Sequence, residues 1–249
     1  MYPVNFKLFI TLIFLFSLFS VNGQIVTDRP DQTESSSTVG QGNLQLESGV
    51  HLSFEGEHFL RNQQILAPST LIRYGIFKGV ELRMRSQFES NEKYGTKYHG
   101  ISDLELGAKI QLYQKEGSSF EVAFLSHLLL PSGSAEVTGN VYGSINKLAL
   151  AHDINDHVGI GYNLGYNYFG AGSGDLTYSL ALGIGINEKV GIYFEPYGDV
   201  IDFAENMLNF DSGVTYLIHK NLQLDFSFGT GVNHRMNHIS IGCSWKAIK

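Results

Sequence analysis

A single cysteine, Cys243, serves a chain of 249 residues, so no internal disulfide can form and stability has to come from another source. Proline is scarce at 5 residues, which leaves long stretches free of the residue that most disrupts a β-ladder. Beyond the first twenty-odd residues no apolar run approaches the ~20 needed for a membrane-crossing helix. Basic residues are outnumbered 17 to 24, for a net charge of −7, and form no stripe, which argues against a nucleic-acid partner. What is abundant is glycine, at 28, and tyrosine, at 13: the composition of many strands, tight turns and interfacial aromatics.

The start of the chain sets the compartment. Lys7 precedes an almost unbroken apolar run over residues 8–21, and the small Gly23 follows. This is the pattern of a secretory signal cleaved before Gln24, too short to span comfortably as an anchor, and no cysteine follows it to carry lipid. The domain reading is a signal peptide over 1–23, an extended segment over 24–42 without periodicity, and one β domain over 43–249.

Within that domain one pattern recurs. In residues 80–89 the even positions Val80, Leu82, Met84 and Phe88 are apolar, while Glu81, Arg83, Arg85, Gln87 and Glu89 are polar or charged. A period of two gives a strand one greasy face and one charged face. The alternation returns from Leu44, Ile72, Leu104, Phe120, Val158, Leu176, Val190, Leu208, Leu222 and Ile239, most weakly over 142–152. Connections alternate between short ones, such as Phe77-Lys-Gly79 and Asn187-Glu-Lys189, and longer polar ones, among them the expected outer loops 90–100 and 198–206.

A lipocalin-like barrel needs only about eight strands, and a Greek-key sandwich has no reason to keep that beat. The pattern predicts an all-β fold: a transmembrane, antiparallel, up-and-down β-barrel of about 12 strands in the outer membrane of a Gram-negative bacterium. Both chain ends then fall on the short-turn, periplasmic side.

Five motifs in order carry a resemblance: Thr27-Asp-Arg-Pro-Asp-Gln-Thr-Glu-Ser35, Gln45-Leu-Glu-Ser-Gly49, Ser69-Thr-Leu-Ile-Arg-Tyr-Gly75, Ile101-Ser-Asp-Leu-Glu-Leu-Gly-Ala-Lys109 and Leu130-Pro-Ser-Gly133. Together they resemble the Bacteroidetes-type branch of the outer-membrane transporter family named for the MetA pathway of phenol degradation. The resemblance implies an outer-membrane barrel passing small molecules, aromatic or apolar ones included, without cofactor. Its partners would be outer-membrane lipid, a small-molecule solute and the barrel-assembly machinery. The chain departs from many such barrels in ending Trp245-Lys-Ala-Ile-Lys249 rather than on an aromatic residue.

Candidate pore-lining residues are the inward charges Arg73, Glu81, Arg83, Arg85, Glu89, Glu105, Lys109 and Glu121, with His127. They either set selectivity or form ion pairs that stabilise the wall. The segments from Val158, Leu176 and Leu222 instead turn glycine and serine inward, which leaves room for Asp28, Arg29, Pro30 and Asp31 to fold inside as a plug. An alternative is a structural or surface-binding barrel with a blocked lumen. Catalysis is not expected: Ser126 and His127 point to opposite faces, and His152, Asp153 and His157 flank a tight turn. No metal-ligand spacing is present.

Overall fold

The computed structural model describes residues 25–56, 62–93, 95–114 and 117–247, so the expected signal peptide lies outside the described residues. The first strands are β1 (Leu44–Glu55), β2 (Asn62–Phe77), β3 (Val80–Lys93), β4 (Thr96–Ile101), β5 (Leu104–Gln114) and β6 (Phe120–Leu130). They are followed by β7 (Gly143–Asn155), β8 (Val158–Tyr168), β9 (Asp175–Gly185), β10 (Val190–Ile201), β11 (Glu205–His219), β12 (Leu222–Gly231) and β13 (Met236–Ala247). All pairings are antiparallel. Because β1 pairs with both β2 and β13, the sheet closes on itself. β4 lies against Phe88 to Lys93 of β3, and β5 against Val80 to Arg85 of the same strand. They are two halves of one wall strand broken at Ser102 and Asp103, and the result is a closed barrel of twelve strands.

Side-chain parity assigns the faces. On β3, Leu82 is 49% exposed and Phe88 39%, whereas Glu81 is 0% and Arg83 3% exposed. The oily residues look outward and the charged ones inward, the reverse of a soluble barrel and the arrangement that hydrocarbon around the wall requires. Near the short-turn end an aromatic row crosses four strands: Tyr113 to Phe120 at 5.9 Å, Phe120 to His152 at 4.5 Å and His152 to Tyr162 at 5.9 Å between ring centroids. Such rings suit the headgroup level, where one edge is wet and the other apolar.

Three expectations about the wall are corrected. The segments 90–100 and 198–206 are not loops: β3 continues to Lys93 and turns directly into β4, and β10 runs to Ile201 and turns at 202–204 into β11. Above the membrane neither face meets lipid, so strands keep their backbone pairing without keeping the alternation that would reveal them. β2 begins at Asn62 rather than near Leu71, because Pro68 cannot donate to the ladder and a register shift between Leu66 and Ser69 interrupts the period of two. The long outer connection is residues 131–142, between β6 and β7.

That connection is clasped by the break in the wall. The Asp103 carboxylate accepts from Ser132 N at 3.0 Å, Gly133 N at 2.9 Å, Thr138 Oγ1 at 2.6 Å and Gly139 N at 3.2 Å. Partial burial would raise the Asp103 pKa, but these four hydrogen bonds outweigh it and hold the carboxyl below its ordinary value. The clasp is therefore at full strength above the ordinary carboxylate range and weakens only as pH falls through the lowered value.

Two outcomes follow. Phe226→Arg, central on β12 and 41% exposed on the outer face, is expected to reduce folding stability in lipid vesicles by about 2–4 kcal/mol in guanidinium titration; an unchanged midpoint contradicts the outward assignment. Asp103→Ala is expected to open residues 131–142 to protease at neutral pH with the barrel intact, whereas the parent stays protected until strongly acidic pH; equal digestion of both at pH 7 contradicts the clasp.

Candidate functional site

The lumen is occupied by the chain's own leader. Residues 25–42 run through the interior before entering β1, anchored at the short-turn end where Gly42 N donates to Gly75 O at 2.8 Å and Asn43 N to Gly40 O at 3.0 Å. Thr, Ser, Asp and Gln give this stretch no apolar face of its own, so it lies extended and satisfies its polar groups on the wall.

Asp28 is the centre of the contacts. Its carboxylate accepts from Arg83 Nη1 at 2.6 Å and Lys109 Nζ at 3.0 Å and stands 3.2 Å from Arg73 Nη1. Arg73 also meets Glu47 at 3.0 Å and Glu81 at 2.9 Å, and Arg83 meets Glu81 at 2.9 Å and Glu34 at 2.8 Å. Burial alone would raise the Asp28 pKa; the charges of Arg73, Lys109 and Arg83 prevail and hold it well below the usual carboxylate range. From the wall alone this cluster has three cations, Arg73, Arg83 and Lys109, against Glu47 and Glu81. Asp28 supplies the missing negative charge, and Glu34 adds a further carboxylate beside Arg83 and Lys109.

Arg29 reaches the other way. Its Nη2 donates to Asp225 Oδ1 at 3.0 Å and Ser240 Oγ at 2.9 Å. Gly242 makes room for it: a Cβ there would stand 2.5 Å from Arg29 Nη2. Further along, Gln32 N donates to Glu195 Oε2 at 2.7 Å, Glu34 N to Asn163 Oδ1 at 2.7 Å, Ser36 Oγ to Glu121 Oε2 at 2.8 Å and Val39 N to Glu81 Oε2 at 2.7 Å. Thr33 donates to Glu195, contacts the Ser179 hydroxyl at 2.7 Å and packs over Gly161.

Of the candidate lining residues, Arg73, Glu81, Arg83 and Lys109 meet at Asp28. His127 accepts from Arg83 Nε at 2.9 Å and approaches Glu105 at 3.0 Å through Nδ1. Glu121 holds Ser36 and Ser37. Glu89 stands apart, bonded to Gln64, Asn91 and Ser102. Arg85 is 41% exposed and approaches Glu105 only at 3.9 Å. Asp31 and Pro30 share the leader with Asp28 and border the cavity above it. Ser126 donates to Asn146 at 2.8 Å, away from His127, so no nucleophile and base converge there.

The sequence reading missed Glu47, Glu195, Asp225 and Asn163 as leader contacts, and Gly242 as the notch for Arg29. The carboxylates carry the same inward parity as the residues chosen, which is the signal that could have found them. Two cavities flank the leader. One of about 380 Å³, toward the long hairpins, borders Asp28 to Gln32 and Glu34; another of about 220 Å³, toward the short turns, borders Val26 and Ser37 to Val39.

Comparison with known proteins agrees with this architecture. The family model described as "Putative MetA-pathway of phenol degradation" matches residues 27–237. The solved KdgM porin in complex with disordered oligogalacturonate shares 12% identity at a TM-score of 0.57, covering 82% of this chain and 99% of that one. The toluene transporter TodX of Pseudomonas putida shares 10% identity over 92% of this chain and 98% of that one, at a TM-score of 0.47. At 12% identity the likeness to the KdgM porin is one of fold.

If Asp28 seats the leader, Asp28→Asn should shift the seated population by roughly a hundredfold, since losing one partner of a buried ion pair costs about 3 kcal/mol or more. With Cys243→Ser as background, Ser36→Cys is expected to react slowly with a bulky maleimide and to become reactive when Asp28→Asn is added. Equal labelling rates contradict the role of Asp28.

Proposed function

The chain belongs to this family, and on that footing we propose that it is a passive outer-membrane channel for small solutes, aromatic and apolar ones included, whose lumen is closed by its own residues 25–42. The observation that carries the reading is the division of the lumen into two cavities by a leader tied to the wall through ion pairs. Eight strands are just filled by side chains and sixteen leave an open channel, so a twelve-strand wall encloses room for one chain segment. Where that segment lies, a path opens once it leaves.

Its attachment suits such a movement. The leader joins β1 at the short-turn end, and its ties are ion pairs and hydrogen bonds rather than wall pairing, so it can swing out without opening the barrel. The cations and carboxylates it uncovers, Arg73, Arg83, Lys109, Glu195 and Asp225, would then line the path and set its preference among charged solutes. No catalytic role is assigned to Ser126 or His127, and no cofactor is invoked.

A second reading is a structural or surface-binding barrel with a permanently blocked lumen, and the seated leader favours it as well. Planar-bilayer recording separates the two. The parent is expected to give small or infrequent steps, and the double variant Asp28→Asn with Arg29→Gln steady steps several times larger. Silence from both, while labelling shows that the leader has been released, overturns passage and leaves the blocked barrel.

A further inference from the structure

The cavity above the leader has a composition that the alternation of the wall does not explain. Most inward positions are polar, yet Leu66 and Leu71 of β2, Leu125 of β6 and Ile145 of β7 turn inward and border this one space. Leu125 is fully buried, but Leu66, Leu71 and Ile145 face a lumen and give up contact with lipid without gaining a packed core. Arg85 of β3 stands beside Leu71 and borders the same space. Its register partners are Leu71 on one side and Glu105 on the other.

The charges around the cavity divide into spent and unspent. Asp28, Glu34, Glu47 and Arg83 are committed to the ion pairs that hold the leader, and Arg29 to Asp225. Arg85 comes no closer than 3.9 Å to a carboxylate, with its side chain 41% exposed, whereas Lys147 donates to the Gln32 carbonyl at 3.5 Å and faces the charge of Asp199. On the far side of the barrel β10 brings Tyr197 and Asp199, and the leader brings Asp31. The space thus has a partly exposed guanidinium beside apolar side chains on one side and Tyr197 with Asp199 on the other. At about 380 Å³ it falls at the small end of the range for ligand pockets.

We propose that this outer cavity is a binding site for small organic carboxylates with a compact apolar body, aromatic acids above all. The carboxylate pairs with the Arg85 guanidinium, and the body lies on Leu66, Leu71 and Ile145 with Tyr197 opposite. Asp199 lies opposite, so the charge of a bound carboxylate is directed away from it toward Arg85, while a cation with the same body would meet the guanidinium as a like charge. The inference deepens the channel reading, on which it rests, by naming the class of solute met at the outer mouth.

Calorimetric titration of the mature barrel in detergent tests this without requiring conductance. Benzoate and cyclohexanecarboxylate are expected to bind, with benzylamine and benzyl alcohol at least tenfold weaker. Arg85→Gln is expected to weaken benzoate tenfold or more, and Leu71→Asn to weaken benzoate while leaving acetate unchanged, with heat-dependent gel mobility confirming that each variant is folded. Benzylamine or benzyl alcohol binding as tightly as benzoate, or Arg85→Gln binding it undiminished, overturns the proposal. A conducting barrel that does not bind benzoate sinks this inference alone; an electrically silent one that binds it sinks passage and leaves the site standing.

Discussion

A carboxylate taken out of water needs cations around it, and Asp28 has three: Arg73, Arg83 and Lys109, each within 3.2 Å. The dependence runs both ways. The wall cluster carries one more positive charge than Glu47 and Glu81 can neutralise, so without the leader it would have to be hydrated. Buried ion pairs are weak evidence of net stability, because desolvation offsets much of their attraction, but they are strongly selective for geometry. The cluster is therefore best understood as fixing where the leader lies.

That selectivity is possible only because the barrel is inside out relative to a soluble protein. Hydrocarbon claims Leu82, Phe88, Phe226 and their counterparts, so each strand's other face is free to be polar, and Arg73 and Lys109 are buried by the leader rather than by a core. Small residues complete the fit: Gly242 and Gly161 leave space where Arg29 and Thr33 lie. The closed wall and the leader that fills it are thus two consequences of one alternation, read from its two sides.

Strand parity, closure and the presence of polar groups inside were legible in the sequence wherever lipid enforces a period of two, as over residues 80–89. Legibility failed where that constraint lapses. Nothing in the run around Pro68 keeps a constant period, the outer half of β3 carries polar residues on both faces, and that of β10 has proline and glycine at its outward positions, so they resemble loops. The site was legible by halves for a related reason. Charges concentrated on β2, β3 and β5 stood out, while Glu47, Glu195 and Asp225 were scattered inward acids on strands whose other inward positions are mostly uncharged. Only the path of residues 25–42, which has no periodicity, connects the two groups. The inward Leu71 was visible as an exception to the pattern, but what brings it beside Arg85 is register between strands, which a single sequence does not contain.

The account stands on the Asp28 carboxylate lying among wall cations inside a membrane-embedded barrel. Solid-state NMR on the mature protein in bilayers, recoupling the labelled Asp28 side-chain carbon to arginine and lysine side-chain nitrogens, measures that directly. Strong dephasing from Arg83 and Lys109 is expected, since the carboxylate oxygens lie 2.6 and 3.0 Å from those nitrogens. An Asp28 signal that shows no recoupling and the narrow lines of a freely moving chain would contradict it.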